Sequence, residues 1–367
     1  MTPPPTPIHA ACSPGEIRAA AMQNGALIDY AIHRPGAPNN VGDRIRARVL
    51  THIPAMAGAF LALPGGTEGF LPDSQAPPNL HTGAAITVLI TRAAIGGKGP
   101  RLSARTPQEP PGPPALLTPG PGAIARLVAL HPAAQVTVDD PAAATPGATI
   151  LPHAWDDEIE TQIEALSAPS IDLPGNITAH IHPTPALVAI DLDASPGNTN
   201  SKPTAQREAN RAAIPALAHA IRLRNLSGAI VIDLAGMAIK ARASLTPDLT
   251  QALARDPLNP RFLGFTALGL AEILRPRIYP PLHELLAGPH AAALAALRKL
   301  ARADPATAHT LHTTPEIARA LDEDPHARAD LARRTGRPLM LRADPALPPG
   351  RWKLETLTRA PTPPKPR

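Results

Sequence analysis

The chain has 367 residues, a formal net charge of +5, and 44% hydrophobic residues. This composition suits two or three globular domains and excludes a wholly disordered chain, and the positive charge is compatible with a polyanionic partner. The single cysteine, Cys12, excludes an internal disulfide framework and a multi-cysteine zinc site, which fits a reducing, cytoplasmic location. No run approaches the ~20 apolar residues of a membrane span, and the first residues lack the features of a secretory signal.

The N-terminal residues predict a lead followed by a hairpin. Residues 1–14 are rich in proline, which predicts a disordered segment. Residues 15–38 contain two strand-like runs that flank Asn24 and Gly25. An Asn-Gly pair between such runs is the strongest short-range hairpin signal, so we expect these runs to form an N-terminal hairpin of the core.

Residues 39–105 alternate short strand-like runs with glycine-rich turns, which predicts a small β-barrel. Two of the four phenylalanines of the chain, Phe60 and Phe70, lie here among basic residues. Aromatic and basic side chains on a small barrel are what an OB-fold uses to stack bases and follow phosphates. From composition alone, burial of both rings in the barrel core is the favoured alternative. Residues 106–122 are rich in proline and predict an extended linker.

The strongest motif of the chain is a strand, a helix and a second strand. Two apolar runs, 186–190 and 229–232, end on Asp191 and Asp233, and residues 205–224 between them have helical periodicity. A right-handed crossover makes the strands parallel and brings the two carboxylates to one crevice. Paired carboxylates repel each other unless a cation or a proton lies between them, and Mg²⁺ commonly takes one or two carboxylates. The sequence therefore predicts a Mg²⁺ site at Asp191 and Asp233, with Mn²⁺ as a substitute.

Two other polar clusters have simpler interpretations. Five acidic residues between 156 and 164 are compatible with a metal site, but acidic residues at a helix start more often complement the helix dipole. His180 and His182 alternate on a predicted strand and could form half of a zinc site, yet no third ligand is evident. We interpret both histidines as surface residues and expect no zinc.

The barrel and the paired aspartates resemble the bacterial ribonuclease E/G family. GDRIRARVLTHIPAMAGAFLALPGGTEGFLPDSQ is similar to its RNA-binding OB-fold domain, and AAIGGKGPRLS is similar to the glycine-lysine-glycine turn that follows. The resemblance places Phe60 and Phe70 on the family's RNA-contacting aromatic pair, Lys98 on the turn lysine and Arg92 on a basic position. These four residues are therefore the expected RNA-binding residues.

The segment between residues 186 and 237 is similar to the catalytic core of the same family. The resemblance places Asp191 and Asp233 on its two metal-binding aspartates, whereas Asp193 stands where the family has asparagine and Gly236 where it often has aspartate. It also implies a helix over residues 267–277. The 5′-end sensor subdomain and the zinc-link cysteines of the family have no counterpart, which indicates a shortened member.

The predicted fold is α/β with an all-β insert. A ribonuclease-H-like nuclease core over residues 123–283 carries the hairpin 15–38 and an inserted OB-fold barrel at 39–105; a small α+β domain at 284–358 and a basic tail at 359–367 follow. The resemblance implies a Mg²⁺-dependent endoribonuclease that cleaves single-stranded RNA to 5′-phosphate products, with Asp191, Asp233 and Asp193 as catalytic residues. It also leaves open a homodimer through the small domain. The alternatives are a non-catalytic RNA-binding protein of the same family and a generic α/β phosphohydrolase with a fused barrel.

Overall fold

The computed structural model of the chain describes residues 6–194, 203–303 and 309–356. Its strands are β1 (Ile8–Ser13), β2 (Glu16–Gln23), β3 (Ala26–His33), β4 (Arg44–Ile53), β5 (Gly58–Ala62), β6 (Glu68–Pro72), β7 (Ala85–Arg92), β8 (Arg101–Ser103), β9 (Ala115–Thr118), β10 (Val136–Val138), β11 (Thr149–Ile150), β12 (Ser170–Leu173), β13 (Ile177–Pro183), β14 (Val188–Ala194), β15 (Gly228–Asp233), β16 (Arg261–Phe265), β17 (Ala271–Arg275), β18 (His309–Thr313), β19 (Leu341–Ala343) and β20 (Trp352–Thr356). Its helices are α1 (Ala123–Leu130), α2 (Asp157–Ala165), α3 (Pro203–Leu223), α4 (Ile239–Arg242), α5 (Thr246–Leu253), α6 (Leu282–Leu285), α7 (Gly288–Ala301), α8 (Pro315–Asp322) and α9 (Pro325–Thr335).

The N-terminal sheet has the strand order β11-β10-β1-β2-β3. Strands β1 to β3 form an antiparallel meander, and β10 runs parallel to β1. The predicted hairpin is confirmed: Asn24 and Gly25 have φ angles of 51° and 76°, the left-handed conformation that a two-residue hairpin turn requires. Helix α1 covers one face of the sheet with its buried residues Ala123, Ile124 and Leu127.

The prediction of a disordered lead is wrong for residues 8–13, which form the central strand β1 of this sheet. Ile8 and Ala10 are fully buried, because the run IHAACS supplies small apolar side chains to the sheet core. The prolines that suggested disorder precede this run, and residues 1–5 lie outside the described part of the chain.

The inserted barrel has the strand order β5-β6-β8-β7-β4-β9, and an additional pairing of β5 with β4 closes five of its strands. This closed five-stranded barrel is compatible with the predicted OB-fold insert. Its core includes Val49, Leu61, Leu71, Val88 and Leu102. The structure thus builds the barrel from short alternating strands, as the sequence indicates.

The barrel is inserted in the chain between β3 and α1. The segment that enters the barrel contacts the segment that leaves it. The Gly120 amide donates a hydrogen bond of 2.6 Å to Asp43 Oδ1. A Cβ atom added to Gly120 would lie 2.2 Å from the Val41 carbonyl oxygen, so only glycine allows this close approach. The chain therefore leaves and rejoins the sheet at one place.

The proline-rich segment 106–122 is more than a linker, because β9 lies within it and pairs antiparallel with β4. The Gln108 side chain accepts a hydrogen bond from the Thr87 amide and donates one to the Thr87 carbonyl oxygen, both at 3.0 Å. The prolines keep the backbone extended as predicted, and the edge position of β9 tolerates prolines around it. The segment is docked on the barrel along its length.

The six-stranded sheet of the core has the order β12-β13-β14-β15-β17-β16. Strands β14 and β15 are parallel neighbours, and α3 lies between them in the chain. The helix buries Ala213, Ile214, Leu217 and Ile221 against one face of the sheet. The predicted strand–helix–strand unit is confirmed.

The prediction of a helix over residues 267–277 is wrong, because this segment contains strand β17, antiparallel to β15. Ala271, Ile273 and Arg275 point inward, whereas Leu274 is exposed. This alternation has the period of a strand. A turn at Gly269, whose φ is 85°, joins β17 to β16 as a hairpin.

The C-terminal unit is α+β, as predicted, and contains the sheet β19-β18-β20 and the helices α7, α8 and α9. Leu294, Leu297, Leu311 and Ile317 lie in its core. It packs on the N-terminal sheet through Arg298, whose guanidinium donates a hydrogen bond of 2.8 Å to Glu16. The predicted basic tail, 359–367, lies outside the described residues.

Candidate active site and nucleic-acid interface

Asp191 and Asp233 lie directly opposite each other in the parallel pairing of β14 and β15. Neighbouring strands are roughly 5 Å apart, so the two Cα atoms are close. On both strands the alternate residues, such as Ile190 and Ile232, are buried in the core. Both aspartates therefore occupy the sheet face opposite α3, and the structure brings them together as the sequence predicted.

Arg242 fixes one of the two carboxylates. Its Nη1 donates a hydrogen bond of 2.6 Å to Asp233 Oδ1 and one of 3.0 Å to the Gly269 carbonyl oxygen. Its Nε and Nη2 donate to the carbonyl oxygens of Met237 and Leu234. The Arg242 side chain is 10% exposed and that of Asp233 is 50% exposed. A buried, fully engaged guanidinium thus orients an accessible carboxylate.

Asn210 of α3 holds the backbone just after β15. Its side-chain amide donates to the Ala235 carbonyl oxygen at 2.9 Å and accepts from the Ala235 amide at 3.0 Å. Asn210 is fully buried, so these bonds satisfy polar groups that water cannot reach. The helix that connects the two strands therefore also fixes the segment that follows Asp233.

Asp193 lies two residues beyond Asp191 on the same face of β14 and is exposed. His180 faces it from β13: His180 Nε2 is 3.5 Å from Asp193 Oδ2, and the side chain of Asp193 is 65% exposed. His180 is also the cross-strand partner of Asp191. The histidine interpreted as a surface residue therefore borders the paired aspartates.

The donor set fits a hard divalent cation. Asp191 and Asp233 offer carboxylate oxygens on one accessible sheet face, and Mg²⁺ usually combines one or two carboxylates with several waters. Arg242 engages only Oδ1 of Asp233. Within residues 6–194, 203–303 and 309–356, no group of three His, Cys, Asp or Glu side chains is placed to hold a metal ion. A cation here would thus rely on two carboxylates and water.

Phe60 and Phe70 form a T-shaped pair on the barrel. The two residues are cross-strand partners in β5 and β6, with ring centroids 5.4 Å apart and an interplanar angle of 61°. Both are half-buried, and neither belongs to the barrel's buried core. The alternative that these rings fill the barrel core is therefore wrong, because their neighbours Leu61 and Leu71 point inward instead.

A basic patch continues from the aromatic pair. Arg101 of β8 is the cross-strand partner of Phe70 in β6 and of Arg92 in β7. Burial and the charges of Arg101 and Arg277 lower the pKa of Arg92, and its buried Nε has no hydrogen-bond partner among the described residues. We call Phe60, Phe70, Arg92, Lys98 and Arg101 the barrel strip.

Lys98 is exposed at the tip of a tight turn. Ile95 and Lys98 exchange backbone hydrogen bonds of 3.1 and 3.2 Å across Gly96 and Gly97. Both glycines have positive φ angles, 59° and 74°, which this two-residue turn requires. The turn therefore projects the lysine away from the barrel core.

Arg222, Arg224 and Arg275 stabilise the fold. Arg222 donates to the Ile28 carbonyl oxygen at 2.5 Å, and Arg224 donates to that of Ala168 at 2.5 Å. Arg275 pairs with Asp256 at 2.6 Å and is 3% exposed. Arg277 remains exposed and packs over Gly228.

The acidic segment at 156–164 is a helix start, as we interpreted it. The Asp156 side chain caps α2 by accepting a hydrogen bond of 3.0 Å from the Ile159 amide. Glu160 accepts two hydrogen bonds from Arg18, at 2.8 and 3.0 Å. These carboxylates therefore serve the fold.

Sequence reasoning missed Arg242, Asn210 and the position of His180. For His180 a signal existed: the runs ITAHIHP and ALVAIDLDA flank a short turn, and pairing them as a hairpin opposes the histidine to the aspartates. Arg242 lies beyond the end of β15, where no periodic pattern fixes the direction of a side chain.

The fold and the site define an α/β protein that places paired carboxylates at adjacent strand ends and carries a β-barrel with an aromatic and basic surface. Residues 152–278 match the sequence profile of the Ribonuclease E/G family. This segment includes both aspartates, His180 and Arg242. The match supports membership of the ribonuclease E/G family.

Individual relatives match the same part of the chain. A ribonuclease E/G-like chloroplastic protein of Arabidopsis thaliana is 32% identical over 136 residues, which are 36% of this chain and 14% of that protein. Ribonuclease E of Synechocystis is 34% identical over 129 residues, or 34% of this chain and 19% of the relative. Ribonuclease G of Haemophilus influenzae is 32% identical over 131 residues, or 35% and 26%. The matched segment thus spans less than a third of each relative.

No helix within the described ranges is both long and apolar enough to cross a membrane.

Proposed function

We propose that the protein is a Mg²⁺-dependent endoribonuclease that cleaves single-stranded RNA and leaves 5′-phosphate products. The observation that carries the proposal is the register of Asp191 and Asp233 on adjacent parallel strands, within the segment that matches the Ribonuclease E/G family. The names of the relatives, ribonuclease E and ribonuclease G, support the reaction class. The barrel strip supports a single-stranded nucleic acid as substrate.

Asp191 and Asp233 would hold the divalent cation. When bound, the cation supplies Lewis-acid stabilisation of the charge that develops on the phosphate oxygens. Arg242 keeps the Asp233 carboxylate in one orientation, because its other donors are fixed on backbone carbonyl oxygens. Asp193, with His180 beside it, can accept a proton from water or orient a ligand at the edge of the site.

The barrel strip would hold the RNA strand. The half-buried rings of Phe60 and Phe70 can stack on bases, and Arg92, Lys98 and Arg101 can pair with phosphates. The Ala93 amide donates a hydrogen bond of 2.8 Å to the Ile278 carbonyl oxygen, beside Arg277 of the core. This bond joins the barrel to the segment that follows β17 of the six-stranded sheet.

Cleavage of a fluorescent AU-rich single-stranded RNA tests the catalytic part. We expect cleavage with Mg²⁺ and none with EDTA. Asp191→Asn and Asp233→Asn should each reduce the rate at least about 100-fold, the upper end of the loss for residues that only orient a metal ligand. Asp172→Asn is the matched control, since Asp172 is an exposed aspartate on the edge strand β12. Cleavage that survives in both variants would contradict the proposal.

RNA affinity, measured by fluorescence anisotropy in EDTA, tests the barrel part. Phe60→Ala or Phe70→Ala should weaken binding by about 1–3 kcal/mol for each base that loses its stacking partner. Phe262→Ala is the matched control, because Phe262 and Phe265 form a similar T-shaped pair, with centroids 5.3 Å apart, against the core. Equal RNA affinity of the wild type and the barrel variants would show that the barrel strip does not bind RNA.

One observation favours a second candidate, a non-catalytic RNA-binding protein. The Arg242 guanidinium neutralises Asp233 in the same place where a cation would act. Tight RNA binding without cleavage in Mg²⁺ or Mn²⁺ would select this candidate.

The ribonuclease-H-like assignment belongs to the same proposal. It is supported by the order of the N-terminal sheet, an antiparallel meander of β1 to β3 with β10 parallel to β1. The homodimer through residues 284–358 and the cytoplasmic location remain predictions.

A further inference from the structure

A cavity of about 280 Å³ lies between the N-terminal sheet and the six-stranded sheet. Its apolar wall consists of Pro121, Leu127, Ala129, Leu130, Pro257 and Leu258. Leu130, at the end of α1, is 43% exposed. The cavity is therefore apolar and accessible at the end of α1.

Almost every charge in the cavity wall has a partner of opposite sign. Asp29 lies 2.8 Å from His131 Nε2 and 3.2 Å from the guanidinium of Arg222. Asp256 pairs with Arg275 at 2.6 Å. These groups are structural and cancel each other locally.

Arg126 is the exception. It forms no ion pair with any carboxylate of the described ranges, and its guanidinium carbon lies 3.6 Å from the centroid of the Tyr279 ring. Burial lowers the pKa of this guanidinium, so the charge is poorly solvated. The ring and the hydroxyl of Tyr279 stabilise the cation, but no carboxylate among the described residues neutralises it, and the cavity wall as a whole carries one uncompensated positive charge.

This combination defines the chemistry of a ligand. A guanidinium presents its N–H groups in a fork that matches phosphate oxygens, whereas the apolar wall accommodates a body without charge. The volume is close to the lower end of small-molecule sites, which suits one nucleotide.

We propose that this cavity binds a nucleoside monophosphate, with Arg126 on the phosphate and the wall of α1 and Pro257 against the nucleoside. The site is separate from the paired aspartates and from the barrel strip, and it does not depend on the ribonuclease proposal. The shared chemistry is a phosphate ester, which a free nucleotide or the backbone of RNA could supply.

Calorimetric titration of the full chain with AMP in EDTA tests the proposal, because no cleavage interferes under these conditions. We expect saturable binding, weakened about 10- to 100-fold in Arg126→Gln and less in Arg126→Lys, which keeps the charge without the fork. Arg337→Gln should bind like the wild type, since Arg337 is an exposed arginine beyond α9. Leu130→Trp narrows the cavity from an exposed position and should also weaken AMP binding. This second variant tests the proposal if Arg126→Gln does not fold.

Three further titrations identify the ligand. Adenosine and inorganic phosphate should each bind at least about tenfold more weakly than AMP, because each lacks one half of the ligand. A 5′-hydroxyl trinucleotide can also bind the barrel strip, so only the part of its binding that Arg126→Gln removes reports on the cavity. That part should be weaker than AMP binding; an equal or tighter Arg126-dependent affinity would assign the site to RNA backbone and overturn the mononucleotide. No AMP binding by the wild type, or equal affinity of Arg126→Gln, would overturn the proposal. Asp233→Asn and Phe60→Ala should bind AMP with the affinity of the wild type. The nucleotide proposal can therefore fail without the ribonuclease proposal, and the reverse.

Discussion

The basic residues of the core and those of the barrel strip differ in their partners. In the core, Arg34 lies 2.9 Å from Glu16, Arg275 lies 2.6 Å from Asp256, and Arg242 lies 2.6 Å from Asp233. In the barrel strip, Arg92, Lys98 and Arg101 form no ion pair with any residue in the described ranges. These core arginines are therefore neutralised, whereas the barrel strip carries free positive charge.

This difference separates two uses of the same residue types. A buried arginine with a carboxylate and backbone acceptors fixes geometry, and removal of its partner leaves an uncompensated buried charge. An exposed, unpaired basic residue adds little to folding but attracts phosphates. Stability should therefore respond to the core pairs, and salt-dependent binding should respond to the barrel strip.

The largest expected effect is that of Glu16→Gln. The Glu16 side chain is 0% exposed and accepts hydrogen bonds from Arg34 and Arg298, so the substitution leaves the buried guanidinium of Arg34 and the half-buried one of Arg298 without their anion. We expect a loss of about 3–5 kcal/mol in the free energy of unfolding, measured by urea denaturation. Glu109→Gln, which removes the exposed partner of Arg44, is the control and should cost less than about 1 kcal/mol. Similar losses in both variants would erase the distinction between the two groups.

Low pH should weaken the ion pairs of Asp140 and Glu160, whereas the barrel strip has no carboxylate partner to protonate among the described residues. Burial alone would raise the pKa of Asp140, but hydrogen bonds from Arg333 and the Ala142 amide and the charge of Arg334 lower it below its ordinary value. The pKa of Glu160 is lowered in the same way: burial opposes the shift, but the hydrogen bond from Arg18 and the charges of Arg18, Arg302 and Arg298 together outweigh it. Because both folded pKa values lie below the unfolded ones, the stabilisation is complete at neutral pH. It is lost as the pH falls below about 5 towards the folded pKa values.

Asp140→Asn tests this prediction. The variant should be less stable than the wild type at pH 7, and the slope of its unfolding free energy between about pH 5 and pH 3 should fall by up to about 1.4 kcal/mol per pH unit. Denaturation series at several pH values measure both quantities. An unchanged slope would show that Asp140 does not supply the proton linkage.

The smallest expected effect is that of Lys98→Gln on the barrel. Lys98 is exposed and unpaired, so the free energy of unfolding should change by less than about 0.5 kcal/mol. If Lys98 contacts one phosphate, the slope of log K for single-stranded RNA against log salt should become shallower by about 0.7. Anisotropy titrations between 50 and 200 mM salt, on the order of physiological strength, measure the slope. A lower free energy of unfolding without a change in the salt slope would show that Lys98 stabilises the fold and does not bind RNA.

The parts of the site that follow from strand periodicity were predictable. The runs that end on Asp191 and Asp233, with a helix between them, leave parallel pairing as the normal outcome. The short strands between glycine turns predicted the barrel. Composition alone, however, favoured burial of Phe60 and Phe70 in the barrel core, which is wrong. The family resemblance, and not the composition, indicated that these rings lie outside the core, which Leu61 and Leu71 fill.

The parts that depend on tertiary contacts were not predictable. The short run around Ile273 suits a helix or a strand equally, and its pairing with β15 decides between them. Strand β1 follows a proline-rich start, so its burial depends on partners far along the chain, such as Val136 in β10. Arg242 reaches Asp233 only because the short helix α4 turns the chain back beneath β15.

The contact between Gly120 and Asp43 has a consequence for the order of folding. Strand β3 and helix α1 pack against each other across an intervening segment, residues 34–122. A disordered segment of this length would impose a loop-closure penalty on the N-terminal sheet. Once the barrel has folded, its two ends are held by a hydrogen bond of 2.6 Å, and β3 and α1 behave as if a short turn joined them. The barrel thus acts as an internal template that lowers the effective contact order of the sheet on which it is mounted.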